Sequence, residues 1–100
     1  MRKINALLVE HGREQPSAVT LYMDLKDIAN AVGGAVRELP LEGSIVALVA
    51  GFESEQIVRT WNDTAIAGNA FFVVGRNKSG YRSLDDEEVA RYQEVFKGGF

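Results

Sequence analysis

Ile45-Val46-Ala47-Leu48-Val49-Ala50 is the stretch that decides the fold. Side chains of a strand alternate between two faces, so a run that is apolar at every position must be covered on both sides. The core is expected to centre on this strand. Residues 70–74, Ala-Phe-Phe-Val-Val, repeat the pattern; they are entered through Gly68-Asn69 and left through Gly75.

Working outward, residues 4–9 form a third apolar run, broken afterwards by Gly12, Pro16 and Ser17. Residues 36–39 alternate weakly before Pro40, and residues 19–22 read as a short extended stretch. The polar stretch 53–56 predicts a turn, followed by β-branched and aromatic residues 57–61 and then Asn62-Asp63, which predicts a hairpin.

Two segments carry helical spacing. Asp24 stands where an N-cap belongs, and Leu25, Ile28, Ala29 and Val32 follow at i, i+3, i+4 and i+7. Gly33-Gly34 ends that helix, because glycine takes the left-handed C′ conformation without strain. Ser83 is the hydroxyl cap expected for the second helix. Asp85, Asp86, Glu87 and Glu88 crowd its positive dipole end, Val89, Tyr92 and Phe96 form the buried stripe, and Gly98-Gly99 closes it.

These helices are too short and too few to supply the crossovers of a parallel sheet. The expectation is therefore an α+β fold over residues 1–100 as a single domain: a small, mostly antiparallel sheet of about five strands with two helices.

Composition narrows the setting. Of 100 residues, 46% are hydrophobic and 25% charged, the balance of an ordinary globular protein. The absence of cysteine removes disulfides and thiolate metal sites and fits a reducing, cytoplasmic compartment. No apolar run approaches the roughly 20 residues of a membrane span, and the run at 4–9 is too brief for a signal peptide. A net charge of −3 makes nucleic acid an unlikely partner.

The landmarks together resemble the domain-of-unknown-function family 3846, small proteins of phages, plasmids and other bacterial mobile elements. Val9-Glu10-His11-Gly12-Arg13 is similar to the family's Val-Glu-Pro-Gly-Lys turn, with His11 in place of proline. Val32-Gly33-Gly34 with Glu38-Leu39-Pro40-Leu41 resembles its helix end and following strand. The family's Asn-Glu-Glu-Gly-Lys turn is replaced here by residues 51–55, and only the later Asn62 is kept. Residues 66–75 and 83–87 resemble its Ile-Ala-Gly-Thr-Phe strand and Ser-Leu-Thr/Ser-Asp-Glu helix start. The resemblance implies a mobile-element origin and brings no activity with it.

Several residues are candidates for chemistry. Glu10 and His11 have the makings of a carboxylate-oriented imidazole, although neighbours on a strand point to opposite faces. One histidine and no cysteine cannot complete a usual zinc or copper set, and four consecutive acids on a helix start diverge, so neither a metal nor a cofactor is expected. Arg76, Lys78 and Arg82, interleaved with Asn77, Gly80 and Tyr81, read either as an anion-binding loop or as a solvated connection. Trp61-Asn62 offers an apolar face beside an amide, or else a core tryptophan before a turn.

The expected function is that of a non-enzymatic binding protein that sequesters a host protein or a small anionic, nucleotide-like signal, as a counter-defence protein would. Glu10, Arg13, Arg76, Lys78 and Arg82 are its polar contacts, and Trp61, Asn62 and Tyr81 its stacking and amide groups. A homo-oligomer would deepen the shallow pocket of so small a domain. The rivals are a small hydrolase using Glu10 or Asp63 with His11, and an interaction module binding through a strand edge or the acidic last helix.

Overall fold

The computed structural model describes residues 3–51 and 56–98; the turn expected at 53–56 and Gly99 lie largely or wholly outside them. The elements run β1 (Lys3–Glu10), β2 (Ser17–Tyr22), α1 (Leu25–Val32), β3 (Val36–Glu42), β4 (Ile45–Ala50), β5 (Ile57–Trp61), β6 (Thr64–Ala67), β7 (Ala70–Asn77), β8 (Gly80–Arg82) and α2 (Asp86–Val95). One sheet has the order β2-β1-β7-β4-β3, with β8 also paired to β7, while β5 and β6 form a separate two-stranded sheet. Every pairing among the described residues is antiparallel, in line with the expected mostly antiparallel sheet.

The strand count exceeds the expected five for local reasons. Residues 76–82 are not a loop: β7 continues to Asn77, turns at Lys78-Ser79 and returns as β8. Residues 64–67 complete the predicted hairpin, and its turn at Asn62 and Asp63 has φ of 46° and 67°, the pair of positive values a tight I′ turn demands.

Strand parity divides the core in two. Leu7, Val9, Ile45, Ala47, Val49, Phe71 and Val73 face one side, covered by Val58 and Ile66 of the hairpin and by Leu84, Tyr92 and Phe96 around α2. Ala6, Val46, Leu48, Ala50, Phe72 and Val74 face the other, covered by Ile28 and Val32 of α1. This explains why β4 and the first half of β7 carry no polar residue: the sheet is the middle of three layers. Each large side chain so buried contributes about 2 kcal/mol, more than any exposed ion pair in the chain can supply.

The helix ends differ partly from expectation. Asp24 caps α1 by accepting from the Lys26 N–H at 2.9 Å, and Gly33 ends it at φ 99°, its N–H and that of Gly34 both donating to Ala29 O. Leu25, however, is 68% exposed and belongs to neither side of the core. Asp85, not Ser83, caps α2: it forms a reciprocal capping box with Glu88, and Ser83 Oγ instead accepts from the Asn5 N–H at 2.8 Å. α2 stops at Val95 with Phe96 as its cap, before the glycines expected to end it.

Candidate functional site

The predicted site residues fall into separate groups, and the separation begins with a β-bulge. In β3, Pro40 pairs with Val46 and Glu42 with Ile45, so Leu41 is an extra residue. Glu38 consequently lies on the α1 face and Glu42 on the α2 face. Tyr81 donates its hydroxyl to Glu38 Oε2 at 2.6 Å, and Arg76 Nε lies 2.9 Å from Glu38 Oε1 while its guanidinium stands over the Tyr81 ring. On the opposite face Tyr92 donates to Glu42 Oε1 at 2.6 Å, and Arg91 binds the same oxygen from above the Tyr92 ring. Burial, followed by the hydrogen bond to a carboxylate, raises the hydroxyl pKa of both tyrosines.

Arg82 is also committed within the fold. Its guanidinium grips both oxygens of Glu88, at 2.9 and 3.0 Å, and donates to Ser44 Oγ at 2.7 Å. It crosses the backbone of β7 at Gly75, where an added Cβ would fall 2.5 Å from Arg82 Cγ. That contact is the reason glycine stands in the strand. The hydrogen bond to Arg82 holds Glu88 below the usual carboxylate pKa.

At the other end of β1, Glu10 pairs with Arg13 at 3.4 Å rather than with His11. His11 Nδ1 lies 3.0 Å from Ile57 O, so it carries the ring hydrogen and donates it. The Glu10–His11 dyad of the hydrolase reading is therefore not assembled. Arg59, only 4% exposed, binds this loop from below: it donates to Phe96 O and Val58 O at 2.7 Å each, and to the carbonyls of Arg13 and Glu14. Burial lowers its pKa, and the carbonyl at the negative end of α2 helps to hold the charge.

The cation sets lie far apart. Glu10 pairs with Ala70 at one end of β7 and Asn77 with Gly80 at the other, a strand length of roughly 23 Å. Arg13, in the loop after Glu10, thus stands apart from Arg76, Lys78 and Arg82, of which Arg82 pairs with Gly75 about 17 Å along β7. Trp61 is half-buried against Tyr92 and Phe96, with ring centroids 6.3 and 5.8 Å away, and Asn62 occupies the adjoining turn. Among the described residues no group of three or more histidine, cysteine, aspartate or glutamate side chains is placed to hold a metal ion.

What sequence reasoning missed is the state of the two sheet edges. Asn5 turns its backbone away from β2, its N–H bonding Ser83 and its carbonyl accepting from Leu84 N–H. Asn5 is the register partner of Thr20, so Thr20, and by alternation Ala18 and Tyr22, direct their N–H and C=O groups to the free edge. At the other edge, Arg76 N–H donates to Ser44 O, which orients Val46 toward β7 and leaves its partner Pro40 facing solvent. Pro40 has no N–H to offer, and the bulge and charged Glu38 and Glu42 block that edge further. β2 has no charge, proline or bulge: Ser-Ala-Val-Thr-Leu-Tyr pairs in continuous register with β1. Beside it an open groove of about 260 Å³ runs to α2, lined by Asn5, Ala18, Thr20, Leu84, Asp86 and Val89 among others.

Among the described residues the fold is thus a three-layer antiparallel α+β domain with one guarded and one unguarded edge. The chain belongs to the family described as Domain of unknown function (DUF3846), whose model matches residues 1–97. No curated protein and no solved structure matches the chain. No helix of the described residues is long and apolar enough to cross a membrane.

Proposed function

We propose that this chain is a non-enzymatic binding protein that holds another polypeptide as a strand added to β2. The carrying observation is the outward row of N–H and C=O groups at Ala18 and Thr20, which have no partner among the described residues. Strand addition uses such groups for affinity and the flanking groove for side-chain selection. A small anionic signal is supported less, because Arg76 and Arg82 are engaged by Glu38 and Glu88 and lie far from Arg13. A host protein and a second copy of this chain both suit a strand edge. Action in the bacterial cytoplasm on behalf of a phage or other mobile element belongs to the same proposal.

The test is Thr20→Pro, which copies at the open edge the device that Pro40 provides at the closed one. The Thr20 N–H does not bond β1, so the change removes no hydrogen bond of the sheet, and circular dichroism checks that the variant folds. A polypeptide that binds the native protein and not the variant supports the reading. Equal binding by the two folded proteins would refute it.

A further inference from the structure

Resting on that reading of β2, we infer that the strand it accepts is β2 of a second copy, paired antiparallel about a two-fold axis at Thr20. In this register Thr20 faces Thr20 of the other copy and Ala18 faces Tyr22. The bonding groups match without a shift. Ala18 and Thr20 present N–H and C=O to the edge, Tyr22 presents N–H, and the Tyr22 carbonyl, which already accepts from Asp24 N–H at 2.8 Å, retains a second lone pair.

Side chains match as well. Tyr22 is a large aromatic residue left 51% exposed, and Ala18, which it would face, is small and borders the open groove between β2 and α2. The tyrosine of one copy leans across the alanine of the other toward Leu84 and Val89. Charge is complementary in the same place: Lys3 Nζ stands 5.8 Å over the Tyr22 ring, so the entering ring brings a cation to the groove wall that carries Asp86. Nothing on β2 itself is charged, so the paired strands place no like charges opposite each other.

Sedimentation equilibrium on the full chain tests this with four variants. The native protein is expected to form dimers in a concentration-dependent way, as small interfaces do. Thr20→Pro, Ala18→Glu and Tyr22→Lys should each weaken dimerisation, by about tenfold for the proline. Ala18→Glu combined with Tyr22→Lys should dimerise at least about threefold more tightly than the product of the single effects, because positions 18 and 22 meet only across the two-fold axis. Strictly additive effects, or a dimer unchanged by every variant, would overturn the inference. If Thr20→Pro fails to fold, the exposed positions 18 and 22 carry the test alone.

A native protein that stays monomeric at millimolar concentration also overturns it. Amide hydrogen exchange in dilute solution then separates the two claims. Fast exchange at Ala18 and Thr20 leaves the open edge intact as a site for other polypeptides, whereas slow exchange removes that reading too.

Discussion

Glu38 and Glu42 lie four residues apart on β3, yet they serve opposite faces of the sheet, each accepting the hydroxyl hydrogen of a different tyrosine at 2.6 Å. Regular strand periodicity would put both on one side. The single extra residue at Leu41 reverses the face of Glu42, so Tyr92 on α2 and Tyr81 on β8 are both tied to the same strand.

The two tyrosines make stability fall at high pH. Each is neutral in the fold with its pKa raised by burial and by a carboxylate acceptor, so the stabilisation is complete below the unfolded value near 10 and is lost as pH rises through the folded value. Thermal melts of the native protein should therefore drop more steeply above about pH 10 than those of Tyr92→Phe. At neutral pH Tyr92→Phe should cost about 1 kcal/mol, since a hydrogen bond to a charged group is removed while Glu42 keeps Arg91.

Glu88 works in the acid direction. Its pKa is depressed chiefly by Arg82, so its contribution is present above the unfolded carboxylate value and fades as pH falls through the lower folded one. Glu88→Gln should flatten the acid limb of the stability curve below about pH 4.5. An acid limb identical to that of the native protein would show that Arg82 and Glu88 are not coupled in solution.

Gly75→Ala should destabilise by roughly 1 to 3 kcal/mol, the cost of forcing an extra methyl against a fixed neighbour. The neighbour is the Arg82 side chain, held by Glu88 and Ser44. In Arg82→Ala the same glycine substitution should cost little, and chemical denaturation of the four proteins measures that coupling.

Arg59→Leu should cost roughly 3 kcal/mol, because carbonyls of Arg13 and Phe96 lose a buried charged donor. Arg59→Lys should recover only part of this, a single ammonium being unable to span the carbonyls of three chain segments as the planar fork does. Urea unfolding of both variants gives the comparison.

Much of this arrangement is legible in the chain before folding. The unbroken apolar runs of β1, β4 and β7 announce a sheet covered on both faces, and Asp24 with Gly33-Gly34 brackets α1 as found. Ser83 misleads because two hydrogen-bonding residues compete for the cap, and Asp85 with Glu88 forms the reciprocal box while Ser83 is taken by β1. Arg76, Tyr81 and Arg82 look like a free basic loop because their partners Glu38 and Glu88 are either distant in sequence or hidden in an acidic run. The openness of β2 has no local sign at all, since it depends on which strands end up at the margins.

Pro40 has one more consequence. A sheet able to zip at both margins could add chains without limit and grow into a fibre, whereas at this far margin Pro40 interrupts the row of donors that a docking strand would need. A strand docked on β2 as proposed would therefore meet no equivalent edge at β3, and growth would halt after one addition.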